Sequence, residues 1–279
     1  MTIQIGFSPC PNDTFIFDAL INKKIDTGNL SFEAVLEDVQ TLNNWARAGK
    51  LAVSKISYGV LPLVLKDYIV LNSGGALGKG VGPLLISKKA LVAGEKVNEK
   101  TIAIPGENTT AHMLFSLAYP QAKNKNFLIF SAIEEAVLSG KTDLGVIIHE
   151  NRFTYQQKGL HKVVDLGEYW EQQTQNPIPL GGIVIKRNID ITIQKKVDKL
   201  IKESTAYAFK NYPLLADYVK QHSQEMEEKV MRQHIDLYVN NYSLDLGIDG
   251  KKAVEKLLAV YKEVNPSVEL NSVDKIFVE

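Results

Sequence analysis

The sequence predicts an α/β protein of two lobes with a ligand cleft between them, and three observations carry the prediction. The chain has 279 residues, 45% of them hydrophobic, which is more than one compact core needs and enough for two. Short apolar runs with strand character alternate with amphipathic helical stretches, the pattern of parallel α/β units. A strand, Pro/Gly loop and capped helix occur twice, once at the N-terminus and again near residue 100.

Taken in order, Ile3 to Phe7 alternates apolar and small or polar residues and runs into SPCPND, a loop punctuated by proline whose Asn12 or Asp13 is placed to cap the helix in TFIFDALI. LSFEAVLED reads as a second strand, VQTLNNWARAGK as a helix ended by glycine, and LAVSKISYGVL as a strand entering a turn. These units predict a largely parallel first sheet. A glycine-rich stretch from Asn72 to Gly82 then marks a change of composition, and PLLISKK follows as a strand. KTIAIPGENTTAHMLFSLAYP repeats the opening architecture, with Asn108 or Thr109 as the cap. NFLIF is the next expected strand, SAIEEAVLSG a helix closed by Gly140, and DLGVIIHENR a strand that becomes polar at His149. PIPLGGIVIKR leads back to the first lobe, and from Ile191 apolar residues recur at three- and four-residue spacing. The expected lobes are residues 1–88 with 185–279, and 89–184, joined by crossings near 84–90 and 180–186. That is the layout of a type II periplasmic-binding-protein fold.

Thirty-two basic residues balance thirty-two acidic ones, and no basic block interleaved with aromatics occurs, so a nucleic-acid partner is not expected. No apolar run approaches the roughly 20 residues that span a bilayer, and the first residues lack the pattern of a secretion signal. The expected location is cytoplasmic and the expected partner a small molecule. Base rates for soluble proteins allow a homodimer, and nothing in the sequence argues further for one. The lone Cys10 has no neighbour at zinc-ligand spacing. No HExxH, paired CxxC, Walker loop or GxSxG is present, so neither a metal nor an organic cofactor is expected.

In α/β sheets ligands collect beyond the carboxyl ends of strands, which selects four segments. They are the SPCPND loop, Lys55-Ile56-Ser57-Tyr58, Asn108-Thr109-Thr110 and His149-Glu150-Asn151-Arg152. Thr109 and Thr110 open a helix, where free N–H groups and the two hydroxyls suit a carboxylate, although an ordinary helix cap accounts for them equally well. Ser57 ends a strand and offers a hydroxyl to a substrate oxygen; simple strand termination is the bland alternative. His149 alone among five histidines follows an apolar strand directly and is the candidate general base, though a lone histidine is more often structural. His112, His161, His222 and His234 read as structural or solvated. Cys10, between two prolines, reads as a packed thiol rather than a nucleophile whose pKa a helix N-terminus lowers.

The strings SPCPNDTFIFDAL, KISYGVLP, GENTTAHMLF, VIIHENRFTY and PIPLGGIVIKR, in that order, resemble the 1,4-dihydroxy-6-naphthoate synthase family over the chain to about residue 190. The resemblance implies a cofactor-free lyase of menaquinone biosynthesis that converts cyclic dehypoxanthinyl futalosine to 1,4-dihydroxy-6-naphthoate and releases dihydroxyacetone. It also implies that His149 is the base and that Lys55, Ile56, Ser57, Thr109 and Thr110 contact a carboxylated substrate. Two alternatives remain: a chorismate dehydratase-like enzyme of the same pathway, and a solute-binding protein without chemistry.

Overall fold

The computed structural model describes residues 1–91, 95–223, 227–268 and 273–279. The expected lobe spans also contain 92–94, 224–226 and 269–272, which lie outside the described residues. Strands β1 (Thr2–Phe7), β2 (Ser31–Leu36), β3 (Val53–Ser57), β4 (Tyr68–Val70) and β5 (Ala76–Gly78) open the first sheet. Strands β6 (Leu84–Ser87), β7 (Ile102–Ile104), β8 (Lys125–Phe127), β9 (Leu144–Ile147) and β10 (His161–Asp165) form the second, and β11 (Ile178–Lys186) returns to the first. The first sheet runs β2-β1-β3-β11-β4 with β5 on β11, and the second β10-β6-β9-β7-β8.

The expectation of a largely parallel first sheet is corrected. β1 pairs parallel with β2 and β3, but β11 is antiparallel to β3, β4 and β5. β6 likewise runs antiparallel to β9 and β10. The reason is the double crossing: a strand that carries the chain back from the other sheet enters from the opposite end. The sheet memberships place the passages between Gly78 and Leu84 and between Asp165 and Ile178, earlier than the expected 84–90 and 180–186. Apolar strand composition alone cannot say which sheet β6 joins.

Two local expectations also shift. The strand expected in NFLIF ends at Phe127, and a turn follows in which Phe130 packs on His149, ring centroids 4.9 Å apart. The first helix, Pro11–Ile21, starts one turn earlier than TFIFDALI. Cys10 is its N-cap residue and Pro11 its first helical residue, where a missing N–H costs nothing. Asn12 and Asp13 therefore lie inside the first turn and are not caps. Thr109 does cap Thr110–Ala118, accepting from the His112 N–H at 3.2 Å, and Gly140 (φ 78°) closes the helix Ile133–Leu138.

One face of the first sheet, with Ile3, Ile5 and Phe7, packs against the helices Pro11–Ile21, Ile191–Asn211 and Glu228–Tyr238. Phe7 and Phe17 stack there at 4.4 Å. Each such fully buried side chain contributes about 1.5–3 kcal/mol. A second core, with Tyr58, Leu61, Phe115, Trp170 and Val254, runs from the first sheet into the second lobe. The lobes approach closely at Gly59, where an added Cβ would lie 2.6 Å from the Thr109 carbonyl and the Thr110 nitrogen. Only glycine admits that approach.

Candidate active site

The four segments selected from the sequence converge on one cleft of about 680 Å³, its mouth to solvent included. Ser8, Asn12, Asp13, Lys55, Ser57, Thr109, Thr110, His149, His234 and Tyr238 are among its lining. Ile56 also lines it, and its carbonyl lies against Gly181 of β11.

On the first-lobe side, Lys55 is 5% exposed and its ammonium lies 2.9 Å from Asp13 Oδ1 while donating to the Gly74 carbonyl at 3.2 Å. Asp13 also accepts from the Ser8 N–H, the Ser8 hydroxyl and Asn12 Nδ2. The SPCPND loop thus folds back on a buried ion pair whose lone pairs are used, the condition under which such a pair is tolerated. Asn43 reaches across: its Nδ2 donates to Ser57 Oγ (3.1 Å) and to the Asn108 carbonyl (2.8 Å), and its Oδ1 accepts from the Ser57 N–H. Ser57 Oγ accepts there and keeps its proton available to the cleft. The sequence reading missed Asn43, whose place in the middle of an amphipathic helix gives no signal.

The threonines need a correction of detail. Thr109 donates its hydroxyl proton to the Gly106 carbonyl at 3.0 Å, and Thr110 donates its own to Leu180 at 2.7 Å while accepting from the Gly59 N–H. Neither hydroxyl has a proton left to give. The Thr110 and Ala111 N–H groups, at the start of the helix Thr110–Ala118, have no intrahelical partner, and both residues line the cleft.

His149 stands just past β9 with φ 56°, a left-handed conformation that non-glycine residues seldom adopt and that concentrates at functional sites. Burial lowers its pKa, while the carboxylates of Glu150 and Asp13 push back upward. The imidazole is therefore held in its neutral, proton-accepting form at neutral pH. Its ring is parallel to that of His234 (interplanar angle 5°, centroids 5.9 Å apart).

His234 corrects part of an expectation: of the two readings, structural or solvated, the solvated one fails, because the residue lines the cleft and is 0% exposed. The signal was the wrong one to read: Glu228–Tyr238 turns its apolar face inward, and His234 lies on that face beside Met231, Ile235 and Tyr238. Its Nε2 donates to Asn12 Oδ1 at 2.8 Å, because an amide oxygen can only accept, while the Asn12 amide group donates to Asp13. That leaves the Nδ1 lone pair without a partner, 3.7 Å from Glu150 Oε2, which also has none. Burial, then the neighbouring His149, hold the His234 pKa well below the usual value. His161 lies within β10 rather than before it, and His112 and His222 stay outside the cleft.

Cys10 is 4% exposed and its thiol pKa is pushed up, by burial first and then by Glu150. It is therefore a protonated thiol at neutral pH. Arg152 pairs with Asp165 at 2.7 Å and donates to the carbonyls of Gly80 and Gly82, so the segment after His149 is tied to both passages between the sheets. Among the described residues no helix is long and apolar enough to cross a membrane.

Residues 3–263 match the menaquinone biosynthesis family. The chain is 43% identical over 257 residues to a 1,4-dihydroxy-6-naphthoate synthase of Thermus thermophilus, covering 92% of this chain and 93% of the relative. It is 42% identical over 262 residues to one of Streptomyces coelicolor, covering 92% of each. A crystal structure of an Archaeoglobus fulgidus protein superposes with a TM-score of 0.89 at 31% identity, over 96% of this chain and 98% of that one. An aliphatic sulphonate binding protein from the Escherichia coli periplasm superposes at 0.64 with 12% identity, over 100% of this chain and 95% of that one, which shows the binding-protein-like two-sheet fold. The chain therefore belongs to the menaquinone biosynthesis family, together with the 1,4-dihydroxy-6-naphthoate synthases to which it is similar.

Proposed function

We propose that the chain is the carbon–carbon lyase that converts cyclic dehypoxanthinyl futalosine to 1,4-dihydroxy-6-naphthoate with release of dihydroxyacetone, with His149 as general base. The observation that supports this best is His149 itself, a neutral imidazole in a strained conformation at a strand end, facing a cleft. Across the cleft the free N–H groups at the start of Thr110–Ala118 and the Ser57 hydroxyl are placed to hold the substrate carboxylate. Lys55 acts through its pair with Asp13, which fixes the loop bearing Ser8 and Asn12, and the Ile56 backbone shapes the floor. Thr109 and Thr110 hold the helix terminus in position rather than donating hydroxyl protons.

In this reading His149 removes a proton, ring opening follows, and aromatisation drives the reaction forward. The protein supplies position, a base and exclusion of water. Closure of the lobes about the two passages, to which Arg152 is tied, gates the cleft. The reaction so written needs no metal or organic cofactor, and we place it in the cytoplasm, with a homodimer as the assembly to test by light scattering.

The test is product analysis by mass spectrometry with cyclic dehypoxanthinyl futalosine, using wild type, His149→Ala and His149→Asn. Asparagine tolerates the left-handed backbone better than alanine, so it separates loss of the base from loss of local fold. Wild type should form naphthoate, and both variants should lose about 10²- to 10⁴-fold in kcat/KM while remaining folded. Stoichiometric binding without product in the wild type would favour a solute-binding role. Turnover of chorismate would favour the dehydratase.

A further inference from the structure

Three chemically different ligand atoms meet at His149, which lines the cleft: the sulfur of Cys10, a ring nitrogen of His149 and a carboxylate oxygen of Glu150 all lie within 4.8 Å of one another. A tetrahedral ion with bonds of about 2.0–2.3 Å sets its ligands about 3.3–3.8 Å apart. Side-chain rotations of an ångström or so would close the trio to that size. A second observation, at His234 outside the trio, points to a cation. Glu150 Oε2 and His234 Nδ1 lack any hydrogen-bond partner in a region where both residues are more than nine-tenths buried. They face each other at 3.7 Å, with the Nδ1 lone pair directed at a carboxylate. Two buried lone pairs left facing each other are costly, and a bound cation would relieve the conflict.

We propose that Cys10, His149 and Glu150 form a binding site for a thiophilic divalent cation of the zinc type, with His234 Nδ1 or water completing the shell, and that its occupation blocks the reaction. The donor set of one sulfur, one or two imidazole nitrogens and one carboxylate selects zinc, cobalt or cadmium over magnesium and calcium. Binding forms a metal–sulfur bond and releases the Cys10 thiol proton to solvent, so no oxidant or reductant is involved. The other charged side chains near the trio are already engaged: Lys55 with Asp13, and Arg152 with Asp165. A thiolate and a carboxylate then neutralise a dication. The His149 ring cannot bind metal and accept a substrate proton through the same nitrogen, so zinc and turnover exclude each other. This inhibitory half rests on the proposed role of His149; the binding half does not.

The test uses the full chain, reduced and freed of metal, in thiol-free buffer. Cobalt(II) added to the resting protein should give a near-ultraviolet thiolate-to-cobalt band together with tetrahedral visible bands, and zinc should displace it. Cys10→Ser, checked for folding by circular dichroism, should lose the near-ultraviolet band and bind zinc at least about tenfold more weakly in chelator competition. Glu150→Gln should keep the band and weaken affinity, which keeps the test decisive if the serine variant fails to fold. In turnover assays zinc should inhibit competitively with substrate, with the inhibiting concentration raised at least about tenfold by Cys10→Ser. Absence of the thiolate band, or equal zinc inhibition of wild type and Cys10→Ser, would overturn the site. Because the cobalt spectra are read without substrate, they hold or fail separately from the lyase assignment.

Discussion

The cleft has two unlike walls. On one, Lys55, Asp13, Ser8, Thr109 and Thr110 engage one another or the backbone, and the threonine hydroxyl protons are all used. On the other, His234 keeps a lone pair without a partner beside a Glu150 oxygen that also has none, and His149 sits in a strained backbone conformation. A satisfied polar network gives rigidity, and an unsatisfied one stores reactivity at a cost in stability. In the proposed reading the first wall is a scaffold that orients a ligand, and the second is where protons or cations act. Substitutions on the first wall should therefore move stability, and those on the second should move activity.

The largest stability effect should come from Lys55→Met. It leaves the Asp13 carboxylate buried without its cation, which costs about 3–5 kcal/mol in comparable cases, read as the shift in urea midpoint. The double variant Lys55→Met/Asp13→Asn should recover much of the loss, because it removes the charge as well as its partner. His149→Asn under the same urea titration should leave the midpoint nearly unchanged. If Lys55→Met were as harmless as His149→Asn, the contrast between the walls would fail at its strongest point.

Thr110→Val tests the same wall where the lobes meet. Valine keeps the shape and removes both the acceptor for Gly59 N–H and the donor to Leu180. With Gly59 packed this closely, water has no room to replace the hydroxyl, and the loss should be about 1–3 kcal/mol. Because the bonds cross between lobes, KM should rise more than kcat falls. A change confined to kcat would mean that the Thr110 hydroxyl acts on the reacting atoms instead.

The second wall was the harder one to read from the sequence, and the reason is physical. His149 was legible because an apolar strand ending in a polar run marks a cleft edge in any α/β sheet. Thr109 was legible as a cap because N-cap chemistry is local. His234 and Asn43 were not, since each lies inside a helix, and whether it reaches the cleft or the residues that line it depends on how that helix docks, which no local pattern records. The use of the threonine hydroxyls was hidden for the same reason: Leu180 is 70 residues from Thr110. The direction of β11 also escaped, because an apolar strand carries no sign of its polarity against its neighbours.

The smallest effect is a pH dependence at the back of the satisfied wall. His112 lies in the helix that Thr109 caps, with Nδ1 donating to the Glu107 carbonyl at 2.7 Å and Nε2 meeting Lys125 Nζ at 3.0 Å. Burial lowers its pKa first, and Lys125 lowers it further, against the opposing pull of the Glu107 carbonyl. The folded ring therefore stays neutral at a pH where the unfolded ring, near its ordinary 6.5, takes up a proton. The unfolded state binds more protons across that window, so this residue's contribution to stability is fully present above pH 6.5 and declines as the pH falls through it. Urea midpoints of wild type and His112→Gln between pH 7.5 and 5.5 isolate that share, since other histidines titrate alike in both. The wild type should lose more stability over the interval, by a margin well below that of Lys55→Met. Parallel slopes would mean that Lys125 swings away on protonation, and that this wall is satisfied by a movable contact rather than a fixed one.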